Sequence, residues 1–205
     1  MKMTELLNAL PKELIDQLDK IEYQEDGGIV ISSIQSLGNN LQVDFTLSFG
    51  SYDIPKQAWR IDIYGIKKEK IIIEWASYPV IYSDHCLLYD YLDNYTELYF
   101  NSKADNPERL FIDLYKTHVG LCDKWIDFGA YINAPEGIEK LCDSDSGLLA
   151  RGPKRILEQY EKCLRIHGVK TKFIGEVPCD CKTLKLLILG NSFFIGDDFE
   201  FERLK

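Results

Sequence analysis

The chain has 205 residues, a length typical of one large domain, and 45% of them are apolar, which is enough for a core that needs no cross-link. Its 33 acidic and 24 basic residues give a net charge of −9, and no run of Lys or Arg is longer than two. Because nucleic acids and anionic membranes attract basic surfaces, we expect neither as a partner.

The first residues, MKMTELLNALPKEL, lack the apolar core of a secretory signal. No apolar stretch approaches the roughly 18 residues that a membrane helix needs. Six cysteines are scattered along a chain that is large enough to fold without disulfides. This pattern is typical of reduced thiols, so we expect a cytoplasmic protein without disulfides.

The N-terminal part predicts one helix and then four strands. In PKELIDQLDKIEY, the apolar residues Leu14, Ile15, Leu18 and Ile21 share a helical stripe. The predicted strands are GGIVISSIQS, NNLQVDFTLSFG, QAWRIDIYGI and KIIIEWAS. The second of these alternates between apolar and polar residues, which indicates a strand buried on one face, and the short turns favour an antiparallel meander.

The middle of the chain predicts helices. Tyr91, Tyr95 and Tyr99 recur every four residues, and NPERLFIDLYKTHVG begins with a capping Asn106 and Pro107. LCDKWIDFGAYI also has a helical apolar stripe. GPKRILEQYEKCLRIHG gives the clearest helix, and Gly168 ends it.

Strand patterns return in VKTKFIGEV, LKLLILG and FFIGDDFEFERL, and Gly190-Asn191-Ser192 predicts a hairpin turn between the last two. Strands, then helices, then strands indicate an α+β fold. We predict a single domain over residues 1–205. Its N-terminal antiparallel meander and C-terminal hairpin form a sheet that the helices from the middle of the chain cover.

Several catalytic and metal motifs are incomplete. Ser192 follows an apolar run and a glycine, as hydrolase nucleophiles do, but Phe194 replaces the second glycine of an elbow and no histidine lies beyond His167. Cys179-Asp180-Cys181 lacks the spacing of a zinc knuckle and has no matching second pair. We therefore predict no catalytic residue, no metal and no cofactor.

An enzyme remains the alternative hypothesis. In Asp84-His85-Cys86, an imidazole adjoins a thiol and would lower its pKa. A hydrolase or transferase would use His85, Cys86 or His118 with carboxylates from elsewhere in the fold. The simpler interpretation is that Ser83-Asp84 caps a helix and that His118 interacts with the dipole at a helix C-terminus.

The last strand combines apolar and acidic faces. Its apolar residues alternate with Asp198, Glu200 and Glu202, and Asp197 follows Gly196 at a predicted bulge. Six of the twelve tyrosines lie between residues 78 and 99, and tyrosine is enriched at protein interfaces. The partner-binding candidates are Asp197, Asp198, Glu200, Glu202, Tyr91, Tyr95 and Tyr99.

In size, acidic charge and the acidic last strand, the chain resembles the standalone immunity proteins of bacterial toxin systems. The resemblance implies a small cytoplasmic inhibitor that neutralises a basic, toxin-like partner. It assigns no role to individual residues. The hypothesis that follows is a protein-binding module whose partner has a basic surface.

Overall fold

The computed structural model describes residues 10–23, 27–50, 53–137, 140–141, 143–179 and 183–205. These residues contain four α-helices and eleven strands in three antiparallel sheets, and the predicted α+β class is confirmed. The chain divides into two compact units, Met1–Asp84 with Thr183–Lys205, and His85–Lys182. That residues 1–205 form one domain stays a prediction.

The discontinuous unit contains the predicted meander. Its first sheet has the order β1-β2-β3-β11, so the last strand joins the three N-terminal ones. The strands are β1 (Gly27–Leu37), β2 (Asn40–Phe49), β3 (Gln57–Tyr64) and β11 (Asp198–Arg203). Leu14 and Leu18 of helix α1 (Lys12–Leu18) pack with the inner face of this sheet, which includes Phe45 and Ile61.

The second sheet of this unit has the order β4-β10-β9-β5. Its strands are β4 (Lys68–Lys70), β5 (Val80–Tyr82), β9 (Lys185–Leu189) and β10 (Ser192–Gly196). The Gly190-Asn191 turn joins β9 to β10 as an antiparallel hairpin. The predicted hairpin is therefore present, but β10 and β11 belong to different sheets because the chain bends between them, at Asp197.

Two glycines lie at the bend, one on each of the paired strands. Gly65 has a φ of +58°, and a Cβ atom on it would lie 1.8 Å from Oδ2 of Asp197. On the neighbouring strand, a Cβ atom on Gly196 would lie 2.8 Å from the carbonyl oxygen of Tyr64. A side chain at Gly196 would therefore block the close approach by which the paired strands pass from one sheet to the other, whereas one at Gly65 would meet only the movable carboxylate of the exposed Asp197.

In its described residues, the second unit has a three-stranded sheet of order β7-β6-β8 and three α-helices of more than two residues. The strands are β6 (Tyr95–Phe100), β7 (Gly147–Pro153) and β8 (Thr171–Val177), and the helices are α2 (Cys86–Leu92), α3 (Pro107–Cys122) and α4 (Lys154–Ile166). Side chains of α3 and α4, including Leu114, Leu157 and Tyr160, share a core with Leu98 of β6. The helices from the middle of the chain thus cover a sheet formed in the same region.

Helix starts and stops follow the sequence at α3 and α4. The Asn106 side chain accepts a hydrogen bond from the Arg109 N–H, and Pro107 is the first helical residue, as predicted. The predicted apolar stripe of α4 is buried, and Gly168 follows this helix with a φ of +72°. At α2, however, His85 is the capping residue instead of the predicted Ser83-Asp84, because its ring accepts from the Leu87 N–H.

Three predicted elements are wrong in part. The tyrosine helix ends at Leu92, and Tyr95 and Tyr99 lie on strand β6. The helix predicted over LCDKWIDFGAYI is absent beyond Cys122, because Asp123 takes a φ of 47° and only the short 3₁₀ helix Phe128–Ala130 follows. The strand predicted over KIIIEWAS includes only Lys70 in β4, and residues 71–75 run outside regular structure.

Candidate protein-binding face

The alternation of β11 places its three carboxylates on one side. Asp198, Glu200 and Glu202 are exposed, whereas Phe199 is buried in the core and Phe201 packs against it. One face of the strand is therefore fixed by packing with the core. The other, outer face carries the acids that the sequence pattern predicts there.

Neighbouring strands extend this acidic surface. Strand pairing places Glu202 opposite Arg60, Glu200 opposite Asp62 and Asp198 opposite Tyr64. On the next strand, β2, Asp44 lies opposite Arg60. We call the surface formed by five carboxylates the acidic face: Asp44, Asp62, Asp198, Glu200 and Glu202.

Two cations balance part of this charge. The Arg60 Nε atom lies 2.7 Å from Asp44, and the Lys185 Nζ atom lies 2.7 Å from Asp198. The hydrogen bond from Arg60 lowers the pKa of Asp44, and the hydrogen bond from Lys185 lowers the pKa of Asp198. Five carboxylates and two cations leave an excess of negative charge on the acidic face.

Uncharged donors orient the carboxylates. Gln42 donates to Asp62 at 2.8 Å, and Ser33 donates to Asp44 at 2.9 Å. The Tyr64 hydroxyl donates to Glu200 at 2.7 Å, and this hydrogen bond raises the pKa of Tyr64. With Lys185, these donors restrict the orientation of four of the five carboxylates of the acidic face.

The pairing of Asp198 with Lys185 was not predicted from the sequence. The side chains are 58% and 46% exposed, so water competes with this ion pair. A partner's cation can approach Asp198 without first removing a buried interaction. Asp197 lies apart from the acidic face, since it is at the bend, where its N–H donates to the Tyr64 carbonyl oxygen.

The three candidate tyrosines belong to the other unit. Tyr95 and Tyr99 are four residues apart and lie on one face of β6. The Tyr99 hydroxyl donates to the Glu97 carboxylate at 2.9 Å. Tyr91 lies on helix α2. The structure therefore brings Tyr95 and Tyr99 to one face but does not place the three on one helical stripe.

The residues of the alternative enzyme hypothesis are separated or buried. The Cys86 sulfur lies 3.6 Å from Nδ1 of His85, but only 4% of Cys86 is exposed. Interaction with the Cys122 side chain, and secondly with the adjoining His85, lowers the pKa of Cys86. A thiolate is a nucleophile only where substrate reaches it, so this burial supports a structural role more than a catalytic one.

His118 lies in the last two turns of α3 and is a core residue. It is 1% exposed, and its ring nitrogens lie 2.6 Å from the Tyr160 hydroxyl and 2.7 Å from the Ile126 carbonyl oxygen. Both ring nitrogens are occupied by protein groups. His118 is therefore unsuited to proton transfer with a substrate as long as these bonds persist.

A cavity of about 690 Å³ lies at the start of α3. Its lining residues are Asp105, Asn106, Pro107, Glu108, Phe111, Ile112 and Asp143. It is an acidic depression at the start of α3, and neither His85 nor Cys86 lines it. Its position gives no support to the enzyme hypothesis.

Within the described residues, no group of three or more His, Cys, Asp or Glu side chains is arranged to hold a metal ion. Cys181 of the Cys-Asp-Cys sequence lies outside those residues, whereas the Cys179 thiol donates to the Tyr91 carbonyl oxygen. Over the same described part, the helices are too short or too polar to cross a membrane.

Comparison with known proteins does not identify a relative: no family model, curated protein or solved structure matches the chain. The acidic face is the surface on which exposure, charge and preorganised side chains coincide.

Proposed function

We propose that this protein is a protein-binding module that docks a basic surface of another protein on its acidic face. The observation that carries the proposal is the excess of carboxylates on one ordered sheet face, three of them exposed on β11. Complementary charge accelerates encounter and suppresses partners of the wrong charge. The same negative charge disfavours nucleic acid as a partner.

The resemblance to immunity proteins supports a more specific form of this proposal. In that form the protein acts in the cytoplasm and neutralises a basic, toxin-like partner. An inhibitor of this kind needs a preformed binding surface and no catalytic group. A rigid sheet face with its acids already oriented meets that requirement.

The triple variant Asp198→Asn, Glu200→Gln and Glu202→Gln tests the proposal. Basic proteins crosslinked to the wild type supply the partner, starting with any toxin-like protein encoded beside this gene. We expect the variant to slow association about tenfold at low salt, because the steering field is weaker. The difference should shrink as salt screens exposed charges.

The matched control is Asp105→Asn, Glu108→Gln and Asp143→Asn, which changes the net charge equally at three exposed carboxylates of the other unit. Stopped-flow or biosensor measurements should give a smaller effect for this control. Equal slowing by both variants would attribute the attraction to net charge alone. Unchanged association in the β11 variant would contradict docking on the acidic face.

A further inference from the structure

The discontinuous unit exposes an apolar stripe beside its second sheet. Ile71, Ile73 and Trp75 are 36%, 74% and 57% exposed in a segment that lies outside regular structure and bends at Glu74. Trp59, in contrast, is 1% exposed in the core of the same unit. An accessible tryptophan is costly to leave in water and is enriched among residues that dominate binding energy.

The segment that carries this stripe is held in place. The Ser192 hydroxyl accepts from the Ile72 N–H at 2.8 Å and donates to the Ile72 carbonyl oxygen at 3.0 Å. Ala76 and Ile29 exchange two backbone hydrogen bonds, of 2.8 and 3.0 Å. The exposed side chains between these points therefore project from an anchored backbone.

Trp75 lies on the outer side of the first sheet, the side that also carries the acidic face. A Cβ atom on Gly28 would lie 2.9 Å from the Trp75 ring, so the indole covers this glycine of β1. Ile29 points into the core, and Gly28 therefore faces outward, as does its partner Ser48 on β2. Asp44 lies on the same outer face of β2, four residues from Ser48 and therefore roughly 13 Å from it along the strand.

We propose that Trp75 is the anchor for an arginine side chain of the basic partner, and that Trp75 and the acidic face form one composite binding surface. This inference rests on the proposed function. An indole face attracts a cation at short range, and the acidic face on the same side of the first sheet attracts a basic partner at longer range. Arginine suits the site better than lysine, since its planar and weakly hydrated guanidinium stacks on aromatic rings.

The probes are two synthetic peptides of equal length and charge, one alternating Arg with Thr and the other alternating Lys with Thr. Calorimetry gives the Kd of each for the wild type, Trp75→Ala, Trp75→Phe and the triple β11 variant. We expect Trp75→Ala to weaken binding of the arginine peptide about tenfold. Trp75→Phe should recover part of the affinity, and the lysine peptide should lose less than the arginine peptide.

Ile73→Ala is the control for apolar burial on the same stripe. An equal loss for Ile73→Ala and Trp75→Ala, with no preference for arginine, would overturn the anchor. The emission of a Trp125→Phe variant is an independent readout: Trp59 is buried, so the arginine peptide should protect Trp75, the exposed tryptophan of this variant, from acrylamide quenching. This measurement decides the question even if Trp75→Ala fails to fold.

The two proposals fail in different ways. If the triple β11 variant weakens binding while Trp75→Ala does not, the acidic face binds without the tryptophan anchor and only this inference is wrong. If neither peptide binds the wild type, or if the triple variant has the same Kd as the wild type, the composite surface and the proposed function are both wrong.

Discussion

The role of His118 follows from its two hydrogen bonds. A carbonyl oxygen only accepts, so Nε2 of His118 carries the hydrogen and donates to Ile126. Nδ1 is then an acceptor, and the Tyr160 hydroxyl donates to it. The pair is buried between α3 and α4, where an unsatisfied ring nitrogen is costly.

Tyr160→Phe is predicted to destabilise the protein by about 1–3 kcal/mol, because it leaves Nδ1 of His118 buried without its donor. Tyr115→Phe, at a side chain that is 50% exposed, is the matched control and should change stability by less than about 0.5 kcal/mol. Denaturant unfolding of both variants measures the difference. Equal losses would contradict the importance of this hydrogen bond.

Sequence reasoning failed at the tyrosines because two periodicities overlap there. Tyr91, Tyr95 and Tyr99 have helical spacing, but YTELYF also alternates, and Thr96, Leu98 and Phe100 are the buried set. Asp93 and Asn94 stop α2 between the two patterns, and the Asp93 side chain instead accepts from the Arg155 N–H of α4. Strand pairing on both sides of β6 then outweighs the helical spacing.

The acidic face was only partly predictable. Alternation within one strand identified Asp198, Glu200 and Glu202, since that pattern is local. Asp62, Tyr64 and Trp75 join the surface through strand order and the packing of a distant segment, neither of which short-range periodicity encodes. The apolar alternation of residues 71–75 predicts a buried strand. In the structure, the Ser192 hydroxyl instead forms hydrogen bonds with the N–H and the carbonyl oxygen of Ile72, which a neighbouring strand would otherwise pair with.

The bend between β10 and β11 gives a prediction for the paired strands. Gly65→Ala should destabilise the protein through two costs: a left-handed backbone, about 1–2 kcal/mol, and a smaller cost for moving the exposed Asp197 side chain aside. Gly38→Ala is the control, because Gly38 has a φ of +66° and open space around it. Urea midpoints should fall further for Gly65→Ala.

If both alanine variants lose the same stability, Asp197 moves aside at no cost. The bend then depends on backbone conformation alone. A double variant, Gly65→Ala with Asp197→Ala, separates the two costs, and it should recover only the part that comes from side-chain contact.

At the scale of the whole molecule, the charges predict a loss of stability in acid. Hydrogen bonds from cationic partners hold the pKa values of Asp44, Glu176 and Asp198 below their ordinary values. Such a carboxyl stabilises the fold fully above its unfolded pKa, about 4, and loses this contribution as pH falls through the folded value. Urea midpoints should therefore decrease between pH 7 and about pH 3.

Lys185→Met checks the cause of this pH dependence. It removes the partner of Asp198, so the variant should differ from the wild type at pH 7 and converge with it in acid. A midpoint that rises in acid would contradict the prediction. It would show instead that repulsion among the carboxylates outweighs their pairing.

The order of strands has a consequence for protein synthesis. Strands β1 to β3 leave the ribosome first, but β11 follows β3 only after more than a hundred further residues, which takes on the order of ten seconds. A nascent chain therefore lacks Asp198, Glu200 and Glu202 while the rest of the sheet is already made. Under the proposed function, a chain whose translation stops early would lack these three docking carboxylates and would not compete with the finished protein for the partner.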